Sequence, residues 1–160
     1  MRTMRISEVM TESPVCCEPQ TPLFEAARLM AVHDCGELPV VSDMRERRVV
    51  GVITDRDICC RGVAQGMNPN DASVDTCMSS PAVVIRRNED MSECLDLMRK
   101  HQIRRIPVVD EQGKICGIVS QADVAARLEE ERTAEVVRDV SRKSDRPARI
   151  DYASLDGAAR

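Results

Sequence analysis

A hydroxyl residue followed three positions later by an aspartate occurs twice in this sequence. The copies are Thr54-x-x-Asp57, within GVITDRDICCRG, and Ser120-x-x-Asp123, within GIVSQADVAARL. The pattern fits a capping box at a helix start, although Asp is shorter than the usual Glu or Gln and reaches back less well. It also fits a ribonucleotide site, because a hydroxyl bonds phosphate and a carboxylate accepts from both ribose hydroxyls. The two interpretations can hold together.

Charged residues near the two motifs differ between the copies. Arg56 places a cation inside the first motif, where the second has Ala122. One strand earlier the balance reverses, because Glu37 stands in the first copy and Arg104 with Arg105 in the second. Cations favour phosphate and anions disfavour it, so we expect one stronger and one weaker or differently selective site. Whether Arg104 and Arg105 serve either site or lie on a solvated surface stays open.

The motifs belong to a longer internal repeat. LMAVHDCGELPVV at Leu29–Val41 matches LMRKHQIRRIPVV at Leu97–Val109, 68 positions further on. Beyond this segment the offset is 66, because the first copy has two more residues between its strands. Turns tolerate such length differences, so the chain is predicted to fold as two similar units.

Each repeat is predicted to follow the order β-α-β-β-α, which makes the fold class α+β. The first apolar stretches are Pro14–Cys17 and Ala82–Ile85. Polar turn residues separate the two later strands of each repeat, and the predicted pairs are Leu38–Val41 with Val49–Ile53 and Ile106–Val109 with Lys114–Val119. The last helix of each repeat starts at Thr54 or Ser120. Each half alone is too small to bury both sheet faces, so the halves are expected to share a core.

The first helix of each repeat carries start signals. Thr21 is the predicted N-cap of one, with Pro22 at the first helical position. In the other, Asp90 and Glu93 have capping-box spacing. Apolar residues on these helices exceed what one small sheet covers, and they include Leu23, Met30, Met91, Leu95 and Met98. We therefore expect a homodimer.

These elements divide the chain into four parts: a first repeat at 5–66, a linker at 67–75, a second repeat at 76–131, and a C-terminal helical extension and flexible tail at 132–160. The stretch from about residue 145 lacks core periodicity. Its removal is expected to leave folding and ligand affinity unchanged.

The composition excludes several classes of function. The chain is 42% hydrophobic with no Trp, one Tyr and one Phe, so a surface of aromatic side chains that stack on bases is excluded. A net charge of −4 gives no electrostatic basis for nucleic acid as the main partner. No apolar run approaches the roughly 18 residues of a membrane span, and the N-terminus lacks a secretory signal. The sequence predicts a cytoplasmic protein without a membrane partner.

Eight cysteines raise a metal or redox interpretation. They form no C-x-x-C pair, and most lie in apolar stretches, where a thiol behaves as a small hydrophobe. Buried thiols are favoured, with a cysteine-based redox or metal sensor as the alternative function. The only histidines, His33 and His101, occupy equivalent helix positions, which favours packing over general-base catalysis.

The repeated unit resembles the CBS domain, named for cystathionine β-synthase, and roughly residues 5–130 resemble a tandem pair. The matching segments are VMTESPV with CMSSPAVV, ELPVV with RIPVVD, and VVGVITDRDI with ICGIVSQADV. The chain is most similar to stand-alone bacterial CBS-pair proteins, including the hypoxic-response type. The resemblance implies two repeats related by pseudo-two-fold symmetry.

The family resemblance also implies a function. CBS pairs are regulatory modules, usually dimeric, that bind AMP, ADP, ATP or S-adenosylmethionine between the repeats, with no obligatory cofactor. By resemblance, Asp57 and Asp123 hold ribose, and Thr54 and Ser120 lie near ribose or phosphate. Four further residues would face the base, namely Val15, Cys16, Ala82 and Val83. The pair occupies almost the whole chain and leaves no room for a catalytic domain, so we expect a non-enzymatic sensor that signals to a partner protein.

Overall fold

The structure, a computed structural model, describes residues 4–127 and 137–141. Six strands and four α-helices lie within residues 4–127, in the order β-α-β-β-α twice. They are β1 (Thr11–Glu12), α1 (Leu23–Val32), β2 (Glu37–Val41), β3 (Val49–Thr54), α2 (Asp55–Asp57), β4 (Ile85–Arg86), α3 (Met91–His101), β5 (Arg105–Val109), β6 (Ile115–Ser120) and α4 (Gln121–Ala125). A π-helical turn and a 3₁₀ turn continue α2 as far as Gln65. The predicted strand pairs are confirmed to within one residue at each end. The predicted first strand at Pro14–Cys17 was wrong, because Cys17 forms only an isolated bridge with Val40, and of the stretch Ala82–Ile85 only Ile85 lies in a strand.

An antiparallel hairpin forms the centre of each repeat. β2 pairs with β3 and β5 pairs with β6, with an irregularity in register at the same place in both hairpins. Aspartates nucleate the turns: the Asp43 carboxylate accepts from the backbone N–H of Arg45 and Glu46, and that of Asp110 accepts from Gln112 and Lys114. The two additional residues of the first repeat therefore fall in a turn, where they leave the strands unchanged.

The segment that leads into one repeat lies beside the hairpin of the other repeat, and this holds for both repeats. β1 pairs with β6 of the second repeat, Thr11 opposite Ile118. The equivalent residue Ser79, which leads into the second repeat, pairs with Val52 of β3 in the first. The glycine that opens each copy of the repeated phrase permits this crossing. A Cβ on Gly51 would lie 2.8 Å from the Ser79 carbonyl oxygen, closer than side-chain carbons come.

Two aliphatic cores result, one in each repeat. The core around α1 contains Leu23, Leu38, Ile53 and, from the linker, Val74. The core around α3 contains, from the second repeat, Cys94, Met98, Ile106 and Val119, and from the N-terminus it contains Ile6. A third cluster of Cys16, Val41 and Ile115 joins the hairpins at their turn ends. The two repeats therefore interlock along the chain.

The segments that cross to the other repeat also accept hydrogen bonds from the first residues of α1 and α3. These contacts correct two predicted caps. The backbone N–H of Leu23 donates to the Ala72 carbonyl at 2.9 Å, and that of Met91 donates to the Met4 carbonyl at 2.9 Å. Neither α1 nor α3 has a side-chain N-cap hydrogen bond. Thr21 accepts instead from the backbone of Glu18. The prediction of Thr21 as N-cap was wrong, because the Ala72 and Pro69 carbonyls accept from the helix-start N–H groups of Leu23 and Phe24. The Asp90–Glu93 capping box was also wrong, because the Glu93 N–H donates to the backbone carbonyl of Asp90.

The apolar helix residues that suggested a dimer are core residues of the single chain. All five are between 0% and 8% exposed, and they are Leu23, Met30, Met91, Leu95 and Met98. The segments that cross to the other repeat cover the surface that one small sheet would leave open. This ground for a homodimer is therefore wrong, and the dimer itself stays a prediction.

Residues 137–141 are helical and pack on the second repeat. Val140 is 5% exposed within the core around α3. Asp139 forms an ion pair with Arg99 at 3.1 Å. The expectation for the stretch from residue 145 lies outside the described residues. Among the residues that are described, none of the helices is both long and apolar enough to cross a membrane.

Candidate functional site

Both Thr/Ser-x-x-Asp motifs form capping boxes. The Thr54 hydroxyl accepts from the Asp57 backbone N–H at 3.0 Å, and the Asp57 carboxylate accepts from the Thr54 N–H at 3.0 Å. The corresponding distances for Ser120 and Asp123 are 3.1 and 2.8 Å. The capping interpretation is confirmed despite the short Asp side chain. The extended backbone of the cap residue brings its N–H within reach.

The two aspartates differ in their remaining contacts. In Asp57, Oδ2 serves the cap and Oδ1 lies 3.6 Å from Nε of Arg61. In Asp123, Oδ2 accepts from both the backbone and the hydroxyl of Ser120. The hydrogen bonds of the cap therefore use only Oδ2 of Asp123, whereas both carboxylate oxygens of Asp57 have protein partners.

A cavity of about 360 Å³ lies where α4 begins. It brings together three predicted site residues, Arg104, Arg105 and Ser120. The other lining residues are Gln121, Ala122, Ala125 and Val137. The start of α4 is joined to the residue before β5, because the Gln121 N–H donates to the Arg104 carbonyl at 2.7 Å. One wall of the cavity thus carries cations and a hydroxyl, and another carries small apolar side chains.

Strand register places a second pair of residues beside the motifs. Glu37 is opposite Thr54 in the first hairpin, and Arg105 is opposite Ser120 in the second. Glu37 and Arg105 are therefore equivalent positions with opposite charges. Arg105 extends toward the first repeat, where its Nη1 lies 3.6 Å from the point that a Cβ on Gly36 would occupy. Both hairpins thus direct their charged ends to the cleft between the repeats.

Glu37 has an unusual environment. Its Oε1 is buried and has no hydrogen-bond partner among the described residues. Burial raises the pKa of Glu37 to about 7, with Arg105 opposing the rise and Asp57 adding to it. The sequence identified Glu37 only as an anion that disfavours phosphate. Glu37 aligns with Arg105 in the internal repeat, and this alignment was the sequence signal that could have placed Glu37 in the site.

The other predicted site residues lie apart from this cavity. Arg56 is exposed, and Val15, Ala82 and Val83 are partly buried beside the first strands. Cys16 is buried in the cluster between the hairpins, where Arg47 donates to its sulfur at 3.7 Å. None of these five lines the cavity at Ser120, and neither do Thr54, Asp57 and Asp123. Their roles toward a base or phosphate stay predictions.

A second cavity of about 360 Å³ lies at the opposite end of β5. Its lining includes Arg5, Arg86 and Arg87, together with the acidic residues Asp110 and Glu111. It contains none of the predicted site residues. The mixed charge of its walls defines no ligand class, so the cavity at Ser120 is the candidate site.

The cysteines do not assemble a metal centre in the described part of the chain. No group of three or more His, Cys, Asp or Glu side chains that could hold a metal ion occurs within residues 4–127 and 137–141. Burial raises the pKa of Cys17 and of Cys94 to about 12, and it also raises that of Cys16, Cys35 and Cys116. Because the thiolate is the reactive form, these five thiols are poor redox or metal-binding groups at neutral pH.

The CBS domain matches the chain twice, over residues 6–61 and 73–130. The chain therefore belongs to the CBS domain family, as the repeated segments indicated. It is 34% identical over 131 residues to Hypoxic response protein 1 of Mycobacterium tuberculosis, which covers 82% of this chain and 90% of that protein. The crystal structure of that protein with two coordinated zinc ions has a TM-score of 0.71 and covers 79% of this chain and 100% of its own.

Two more distant structures share the fold. CBSX2 in complex with AMP is 22% identical with a TM-score of 0.68, over 76% of this chain and 94% of that one. The CBS domain pair of protein MJ0100, in complex with 5′-methylthioadenosine and S-adenosyl-L-methionine, is 24% identical with a TM-score of 0.68, over 78% and 95% of the two chains. At these identities the likeness establishes the common architecture.

Proposed function

We propose that this protein is a regulatory module that binds an adenosine-containing ligand between its two repeats and signals to a partner protein. The observation that carries the proposal is the cavity at Ser120, which combines Arg104 and Arg105 with an apolar wall. The second repeat and Val137 line it, and Arg105 reaches from it toward Gly36 of the first repeat. A ligand that fits both walls carries an anionic group and a flat, weakly polar ring. Adenine nucleotides have this form. The proposal assigns no catalytic step and no obligatory cofactor.

The walls suggest where each part of the ligand binds. Arg104 and Arg105 supply guanidinium donors for phosphate, and the Ser120 hydroxyl adds a hydrogen bond. Ala122, Ala125 and Val137 form an aliphatic surface for the base. The Oδ1 atom of Asp123 would accept from ribose, since the cap uses Oδ2. This arrangement makes the Ser120 side the stronger phosphate site and leaves exposed Arg56 outside it.

The shared fold supports this proposal. Proteins of the same architecture have been crystallised with AMP and with S-adenosyl-L-methionine. A ligand held between two repeats contacts both, so its binding can alter their relative stability and the surface that a partner protein contacts. A regulatory function needs only this coupling.

A thermal-shift panel of AMP, ADP, ATP, S-adenosylmethionine and guanosine monophosphate tests the proposal. A ligand at 100 times its Kd stabilises the folded state by about 2.7 kcal/mol. We expect at least one adenosine ligand to raise the Tm, and Arg104→Ala to weaken the shift for phosphate-bearing ligands. Exposed Arg45→Ala is the matched control. A Tm unchanged by every adenosine ligand at millimolar concentration would overturn the proposal.

A metal-sensing function is the second candidate, and the zinc ions of the mycobacterial relative are the observation that favours it. Native mass spectrometry separates the two candidates. A copurified mass of one adenosine ligand supports the first, whereas zinc-sized additions that a chelator removes support the second.

We also propose that the protein forms a homodimer. Exposed apolar side chains on and near α1 support it, because Phe24 is 52% exposed and Val32 70%. Light scattering should report twice the chain mass of 17.8 kDa, and Phe24→Ser should shift the distribution toward the monomer. A wild type that stays monomeric at micromolar concentration would contradict this assembly.

A further inference from the structure

Arg105 lies between two groups that can use its charge. It lines the cavity at Ser120, and it is the cation that faces Glu37 in the first repeat. One guanidinium therefore serves both a partly buried carboxyl and the position proposed for a ligand phosphate. Glu37 occupies the place in the first repeat that Arg105 occupies in the second, and Arg105 reaches Gly36, the residue next to Glu37.

Glu37 depends on this cation because its other neighbours are unfavourable. Asp57 faces it from α2, and Asp57 is itself paired with Arg61 at 3.6 Å. Asp55, also on α2, lies beside Gly36 near Arg105. The Cys35 thiol, with its pKa raised by burial, adds no positive charge. The Glu37 Oε1 is buried with no hydrogen-bond partner among the described residues.

We propose that Glu37 and a ligand phosphate compete for Arg105, so that binding of a phosphate-bearing ligand in the cleft is coupled to protonation of Glu37. The inference rests on the proposed adenosine function. When the phosphate oxygens engage Arg105, the Glu37 carboxylate loses its counter-charge and gains a nearby anion. It then takes one proton from solvent and becomes a neutral carboxyl, with no other bond formed or broken.

The pKa of Glu37 makes this coupling effective near neutral pH. Burial has already raised it to about 7, so the free protein is partly deprotonated at pH 7.5. A further rise on binding converts this fraction to the protonated form. Affinity for a phosphate-bearing ligand therefore increases as pH falls, and the module reports ligand concentration and pH together.

Calorimetric titration of AMP at pH 7.5, in Tris and in HEPES, measures proton uptake from the difference in buffer ionisation heat. We expect uptake of roughly half a proton or more per AMP, and affinity about five- to tenfold weaker at pH 8.5 than at pH 6.5. The AMP phosphate is already a dianion at pH 7.5, since its second pKa is about 6. Its contact with arginine cannot produce uptake.

Three variants and one ligand without phosphate assign the proton. Glu37→Gln should abolish the uptake and flatten the pH dependence, with Glu37→Ala as a second variant. Glu111→Gln, which removes the same charge from the exposed turn beyond the far end of β5, should retain both. Adenosine lacks phosphate and should bind without uptake.

The outcomes separate this inference from the proposed function. AMP binding without proton uptake, or uptake that survives Glu37→Gln, overturns the coupling and leaves adenosine binding intact. Binding of adenosine but not AMP overturns the coupling as well, because no phosphate reaches Arg105. Failure of both ligands to bind overturns the proposed function and this inference with it.

Discussion

Ile6 and Val74 occupy equivalent positions, and both are fully buried. Each packs in the core of the other repeat, not of the repeat that its own segment leads into. Ile6 lies at the beginning of the first repeat and packs in the core around α3, whereas Val74 lies in the linker before the second repeat and packs in the core around α1. The segments that carry them also accept hydrogen bonds from the starts of these helices. The core of each repeat therefore includes residues from the segment that leads into the other repeat.

Ile6→Ala should therefore destabilise the whole chain. Removing a fully buried isoleucine side chain typically costs about 2–5 kcal/mol, and Ile6 is 0% exposed. Urea denaturation should show one cooperative transition at lower midpoint with both repeats lost together. Met44→Ala, in the hairpin turn at a position 51% exposed, is the control and should change the free energy of unfolding by under about 0.5 kcal/mol. A separate early transition confined to the second repeat would contradict the interlocked arrangement.

The capping boxes predict a smaller, paired effect. Thr54→Ala and Ser120→Ala each remove the acceptor for a backbone N–H at the helix start. Each should cost about 1 kcal/mol, measured by chemical denaturation without ligand. Ser42→Ala, in the exposed hairpin turn, provides the reference. Loss of stability equal to that of the reference would show that the caps contribute nothing measurable.

Glu37→Gln should raise stability at alkaline pH. The folded-state pKa rises from 4.5 to about 7, so the folded chain holds this proton more tightly than the unfolded chain does. Its favourable contribution is complete below pH 4.5 and is lost as pH rises through 7. The variant should therefore exceed wild type by up to about 3 kcal/mol at pH 8, at roughly 1.4 kcal/mol per unit of pKa. A difference between the two proteins that is constant from pH 5 to 8 would be inconsistent with the buried carboxyl.

Asp57 and Asp123 should differ in their effects on ligand affinity. Asp123→Ala should weaken AMP binding about ten- to hundredfold, the loss of one hydrogen bond between a carboxylate and ribose. Asp57→Ala should have less effect, because Arg61 and the cap engage both its oxygens and Glu37 disfavours phosphate on that side. Both variants lose a cap, so equal losses of stability serve as the internal control. Equal AMP affinities in calorimetry for wild type and both variants would confine the motif to helix capping.

Local chemistry determined the hairpins and the helix starts, and the sequence alone predicted them. Apolar runs separated by polar turn residues defined β2 with β3 and β5 with β6 to within one residue. Hydroxyl-to-aspartate spacing placed the starts of α2 and α4 at Thr54 and Ser120. Each cap depends on atoms within about four residues of one another, and each hairpin joins two strands that follow one another directly in the sequence. Such short-range interactions are visible in a sequence.

Tertiary structure decided which segments cross to the other repeat. It also placed Arg105 near both Glu37 and the cavity at Ser120. Thr21 and Asp90 are residue types that cap helices, yet carbonyls of Ala72 and Met4 accept from those helix starts. Which residues cover a small sheet depends on the apolar surface that remains open after both hairpins form, and local patterns do not record it. The pKa of Glu37 likewise follows from burial beside Asp57 and Arg105. Electrostatic effects of this kind depend on distances across the cleft, and only the packed repeats set those distances.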